Sequence, residues 1–166
     1  MKPIFLIGFM GSGKSTVGKA LQNILDWDFV DTDALFEAEE KFNISDYFAR
    51  FGEIHFRKKE HMYLKRSTQD NTIVSTGGGI VLRLDNVIWM QSHGTIVYLA
   101  TSFEQIVKRL YGDMSRPLFQ AEDMQATYKR FTSRLPLYES AANYVVQTDG
   151  LSPVEIADQL VVQLKL

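Results

Sequence analysis

The sequence predicts a parallel α/β fold on three observations. Short β-rich runs recur along the chain, each is followed by a stretch long enough for a helix, and the runs are nearly all apolar instead of alternating. The runs are Ile4 to Ile7, Phe29 to Asp31, Thr72 to Ser75, Thr95 to Leu99 and Tyr144 to Gln147. Unbroken apolar runs suit strands that helices cover on both faces. After the first run, Lys14 to Leu25 sets Val17, Leu21, Ile24 and Leu25 on one helical face. Further on, Gly52-Glu53 precedes a helix carrying Phe56 and Arg57. Ser102 to Leu110 repeats the amphipathic pattern with Phe103, Ile106, Val107 and Leu110. The stretch Gly112 to Asp123 is polar, contains Pro117 and has no period, so it reads as a mobile loop within the domain. At the end, Ser152-Pro153 supplies an N-cap and a proline at the first helical position, ahead of Ile156, Leu160, Val161 and Leu164.

Length and composition bound the function. A chain of 166 residues with 45% hydrophobic content builds one continuous core, so residues 1–166 are expected to form one domain. A formal charge of -2 argues against a general nucleic-acid binder, which needs clustered Lys and Arg. With no cysteine there is no disulfide framework, thiolate metal site or thiol nucleophile. No apolar run approaches the roughly 18 residues that cross a bilayer, and Met1 leads straight into Ile4 to Ile7. The expectation is a soluble, cytoplasmic protein with neither a membrane nor a nucleic acid as partner.

The chemistry starts at Gly8-Phe9-Met10-Gly11-Ser12-Gly13-Lys14-Ser15, which fits G-x-x-x-x-G-K-[ST] between a predicted strand and a predicted helix. Glycines at that spacing let successive backbone N–H groups point at phosphate oxygens, and the positive end of the following helix strengthens the field. Lys14 brings a point charge to the β- and γ-phosphates, and the Ser15 hydroxyl can ligate Mg²⁺. The loop therefore predicts Mg·ATP binding through Gly11, Ser12, Gly13, Lys14, Ser15 and Thr16. No N-K-x-D guanine-reading motif occurs, and the chain is short for a motor ATPase, so a small-molecule kinase is the expected class.

The acceptor side is less explicit. Asp31-Thr32-Asp33 follows the second strand at the carboxyl edge where open α/β sheets bind ligands, although Asp-x-Asp there is equally a helix N-cap. The third strand ends in Thr76-Gly77-Gly78-Gly79, where consecutive glycines make sense if a ligand approaches the main chain. Arg57 and Arg134, taken alone, also suit surface ion pairs.

Together the GFMGSGKST loop, DTD, GExxFR, TGGG, the SRPL within Ser115 to Leu118 and the RLPLY of Arg134 to Tyr138 resemble shikimate kinase over nearly the whole chain. The resemblance implies a three-layer α/β/α P-loop kinase of the nucleoside-monophosphate-kinase type, with a five-stranded parallel sheet in the order 2-3-1-4-5 and a mobile lid over 112–123. It implies a substrate-binding region over 33–62, shikimate and ATP as substrates, Mg²⁺ as cofactor, and a monomer. Residue by residue, it implies that Arg57 and Arg134 bind the substrate carboxylate and that Gly77, Gly78 and Gly79 complete the pocket. Asp33 binds the ring hydroxyls and orients or deprotonates the attacking one, while Asp31 assists Mg²⁺ beside Ser15. Arg116, in the lid, joins Lys14 in neutralising the transferred group, and Arg109 stacks on adenine, although it also suits the charged end of a helix. A gluconate or other small-metabolite kinase would share the phosphate loop without needing the paired arginines. A nucleotide-binding regulatory module would need no catalytic Asp33.

Overall fold

The computed structural model describes residues 1–112 and 121–166. Strand β1 (Ile4–Ile7) leads into α1 (Lys14–Leu25), β2 (Asp28–Asp31), α2 (Thr32–Glu40), α3 (Ile44–Phe51) and α4 (Glu53–Arg66). Next come β3 (Thr72–Ser75), a 3₁₀ turn (Ile80–Leu82), α5 (Leu84–His93), β4 (Thr95–Ala100) and α6 (Phe103–Tyr111). The chain closes with α7 (Ala121–Ala141), β5 (Tyr144–Gln147) and α8 (Pro153–Leu164). The strands stand in the order β2-β3-β1-β4-β5, and every neighbouring pair is parallel.

Strand pleating sorts the core into two layers. Ile4 and Leu6 of β1 pack with Val17, Leu21, Ile156 and Leu160 of α1 and α8. Phe5 and Ile7 face the other way, into a cluster with Met90 of α5 and Phe131 and Tyr138 of α7. A smaller aromatic cluster of Phe36, Tyr47, Phe56 and Tyr63 holds α2, α3 and α4 together beside the carboxyl edge of the sheet. Caps fix several helix starts: Asn43 accepts from Asp46 N–H, Ser102 from Gln105 N–H, and Ser152 forms a reciprocal capping box with Glu155.

Four expectations are corrected. Ile24 (43% exposed) and Leu110 (39% exposed) do not belong to the buried faces of their helices; each lies in the last turn of its helix. On α1 the buried place next to Val17 is taken by Gly18, where a Cβ would stand 2.3 Å from the Phe29 ring. Coverage on both faces holds for β1 and β3 but not for the edge strands β2 and β5, which are largely exposed or half-buried. The loop and lid expected over 112–123 lie mostly outside the described residues, and the last of that span, from Ala121 to Asp123, already belongs to α7. Among the described residues no helix is long and apolar enough to cross a membrane.

Candidate active site

The phosphate loop is shaped by what its glycines leave out. A Cβ on Gly8 would stand 2.9 Å from Leu99 O and 2.7 Å from Ser12 Oγ, so the chain turns there only because nothing occupies that space. Gly13, at φ 92°, is the N-cap of α1 and gives no side chain to its first-turn N–H groups. Those donors stay open to an anion, and no acidic residue in the first turn competes for them. Ser12 Oγ is buried without a hydrogen-bond partner, an orphan that suits a ligand oxygen. Thr16 turns its hydroxyl back onto Gly13 O at 2.9 Å. Arg109, whose Nη1 donates to Gly11 O at 2.8 Å, lies along the outside of the loop.

Lys14 folds over this cradle, its Nζ donating to Gly8 O at 2.8 Å and Phe9 O at 3.1 Å. Burial lowers its pKa from the ordinary 10.5 to about 8, and Asp33 and Asp31 limit the drop. The ammonium therefore stays charged at neutral pH. Asp31 does two things at once. Its Oδ1 caps α2 by accepting from the N–H groups of Asp33 and Ala34, and its Oδ2 meets the Ser15 hydroxyl and, at 3.1 Å, the Ser75 hydroxyl. These hard oxygens fit Mg²⁺. Among the described residues no cluster of three acidic, His or Cys side chains could cage a metal, so a cation at Ser15 and Asp31 would take its other ligands from phosphate and water.

Next to the loop opens a cavity of 610 Å³. Asp33, Arg57, Gly77, Gly78, Gly79 and Arg134 all line it, together with Met10 of the loop itself. Elements distant in sequence thus meet at one point: the start of α2, the first half of α4, the turn after β3 and the middle of α7. The Asp33 carboxylate accepts no hydrogen bond from a described residue. Burial, then the Asp31 and Glu60 charges, raise its pKa from 3.8 to about 6. The three glycines serve space more than flexibility. A Cβ on Gly77 would meet Asp33 Oδ1 at 2.8 Å, and one on Gly79 would meet the Arg57 guanidinium at 2.4 Å. The close approach expected of a ligand is thus already made by the site's own side chains.

Sequence reasoning missed Glu60. It is 4% exposed and accepts from Arg57 Nη1 at 2.8 and 3.0 Å, so part of the guanidinium fork is already engaged. What remains for a ligand is Nη2, tied only at 3.4 Å to exposed Glu53. Burial raises the Glu60 pKa against the pull of Arg57. The signal was available: Glu60 falls on the apolar face of α4 with Phe56, Tyr63 and Leu64, where an acid needs a partner. Arg130, one turn before Arg134 on the same cavity wall, was missed as well, and its only signal is that spacing. Arg116 lies outside the described residues. His61, bonded to Asn86, and His93, stacked on Trp89, stand apart from the cavity.

A parallel sheet with a Gly-rich phosphate loop after its first strand, a lysine over that loop and a carboxylate in the adjoining cavity together define a P-loop phosphotransferase of small molecules. The family model for shikimate kinase matches residues 10–165. A shikimate kinase of Bacillus cereus (strain G9842) is 44% identical over 160 residues, covering 96% of each chain. The chain therefore belongs to the shikimate kinase family. The solved shikimate kinase of Acinetobacter baumannii in complex with shikimate superposes with a TM-score of 0.89 at 32% identity, covering 99% of this chain and 94% of that one. A gluconokinase of Sinorhizobium meliloti shares the fold alone, with a TM-score of 0.61 at 16% identity over 98% of this chain and 91% of its own.

The raised Asp33 pKa carries a stability consequence. A carboxylate whose folded-state pKa lies above its unfolded value contributes stability below the unfolded pKa, and that stability is lost as pH rises through the folded value. Between pH 3.8 and about 6, Asp33 therefore changes from an asset to a cost. Asp33→Asn should raise the thermal midpoint at pH 7.5 by several degrees, on the order of 1 to 3 kcal/mol, with little gain at pH 4. Thermal scans at the two pH values check this.

Proposed function

We propose that this chain transfers the γ-phosphoryl group of ATP to the 3-hydroxyl of shikimate, giving shikimate 3-phosphate and ADP on the route to chorismate and the aromatic amino acids. The observation that carries the reading is that Asp33, Arg57 and Arg134 share one cavity with Met10 of the phosphate loop. A ring acid needs fixed cations for its carboxylate and an acceptor for its hydroxyls, and that wall supplies both.

In this reading Arg134 and the free edge of Arg57 grip the carboxylate, and the backbone of Gly77 to Gly79 floors the pocket. The ring is then held with one hydroxyl at Asp33 and facing the loop. The hydroxyl oxygen attacks the γ-phosphorus, the bond from that phosphorus to the β-phosphate oxygen breaks, and the hydroxyl proton passes to Asp33. A pKa of about 6 suits this task, since the group is ionised at neutral pH and still basic enough to take the proton. Lys14 neutralises charge spreading over the transferred oxygens. Mg²⁺ at Ser15 and Asp31 would supply further charge neutralisation. Gly11, Ser12, Gly13 and Thr16 hold the phosphates, and Arg109 is assigned by the family resemblance to stack on the base. Arg116 is assigned by the family resemblance to a lid that excludes water. The whole of 1–166 acts as one domain with 33–62 as its acceptor region, a monomer in the cytoplasm.

The direct test is a coupled assay of ADP release. Turnover should depend on shikimate, with gluconate inert; turnover stimulated by gluconate and indifferent to shikimate overturns the reading. In that assay kcat/KM should fall below about pH 6 as Asp33 is protonated, and above about pH 8 as Lys14 loses its charge. Bound phosphates hold Lys14 protonated, so the alkaline limb of kcat should lie at higher pH than that of kcat/KM.

The two arginines should fail differently. Arg134→Ala should raise the KM for shikimate tens-fold, through loss of roughly 1.5 to 3 kcal/mol of charge-assisted bonding, with the KM for ATP unchanged. Arg57→Ala should do the same and also lower stability by roughly 3 kcal/mol, because Glu60 is left buried and unpaired. Kinetics with denaturant unfolding on both variants distinguish the cases.

A further inference from the structure

The turn after β3 holds a polar group that the reading above leaves unused. Tyr138 sits on α7 with 0% exposure, its ring stacked on Tyr98 at a centroid distance of 5.1 Å. A phenol so buried needs a partner, and its hydroxyl donates to Gly78 O at 2.5 Å. Gly78 C=O and Gly79 N–H belong to the same planar peptide. No described residue accepts from that N–H, although Gly79 is buried and lines the cavity. The phenol therefore donates to a carbonyl, and the N–H at the other end of that peptide is free to donate to whatever fills the cavity.

We propose that Tyr138 is a positioning residue of the acceptor site, fixing the plane of the Gly78–Gly79 peptide so that the Gly79 N–H is presented, polarised, to the bound ring acid. The proposal rests on the shikimate reading and deepens it. A carbonyl that accepts a hydrogen bond leaves the N–H of its own peptide a better donor. Arg134 and Tyr138 share α7, so the helix that carries the cation also carries the phenol that holds the pocket floor. Burial pushes the Tyr138 pKa up to about 12, so the hydroxyl stays a donor at every working pH.

Tyr138→Phe removes the oxygen and keeps the ring against Tyr98. Isothermal titration of wild type and variant with shikimate, and separately with ADP, reads the effect beside a thermal scan. The expected result is a shikimate Kd raised about five- to tenfold, an ADP Kd within about twofold, and a thermal midpoint within a few degrees. An unchanged shikimate Kd overturns the proposal. So does an equal weakening of both ligands with a large fall in midpoint, which is the mark of a residue that only packs. A wild type that fails to bind shikimate overturns the underlying reading instead, and is seen before any variant is made.

Discussion

Everything in this molecule depends on holding unlike charges close together, out of water, at the carboxyl edge of the sheet. Lys14 is buried beside Asp33 and Asp31, and the three shape one another: the acids keep the ammonium charged, and the enclosure lifts the Asp33 carboxyl toward neutrality. Such an arrangement costs stability and cannot arise on a mobile surface. It persists because β1 and β3, the strands that deliver Lys14 and the glycine turn, are buried throughout and packed from both sides. The rigid layer comes first and the strained charges hang from its end.

The acceptor cavity follows the same logic with a second set of charges. Glu60 is a buried acid that would be ruinous alone, yet it turns Arg57 into a group with one fixed face and one free face. The glycines after β3 make room for those side chains, so the wall is closed by contacts and not by slack. The aromatic cluster of Phe36, Tyr47, Phe56 and Tyr63 then ties α2, α3 and α4 into one body that carries Asp33 and Arg57 together. A site assembled this way can grip a small anion without first ordering loose chain.

Much of this was legible in advance. The strands at Ile4 to Ile7 and Thr72 to Ser75 fall where the apolar runs placed them, because a buried strand leaves an unbroken apolar record, and Tyr144 to Gln147 also falls in place although that edge strand is largely exposed. The phosphate loop was equally plain, since its chemistry is backbone chemistry and only glycine spacing permits it. The helix-cap reading of Asp31 is seen directly: it caps α2 with one oxygen and meets Ser15 with the other. Ile24 and Leu110 were misjudged because helical periodicity marks a stripe without saying which of its positions neighbouring elements cover. Glu60 was overlooked because a glutamate three residues from an arginine on a helix usually describes a solvated pair.

What the sequence determined by itself was therefore everything local: the order of strands and helices, the phosphate loop, and the residue types able to hold a carboxylate and accept a proton. What only the tertiary structure decided was which of those groups meet, and in what state of charge. Asp33, Arg57, Gly79 and Arg134 lie far apart along the chain and come together only when α4 and α7 close over the turn after β3. Their pKa values and remaining hydrogen-bonding capacity are set by the loss of water and the proximity of neighbours, and neither is a property of a residue until the chain has folded.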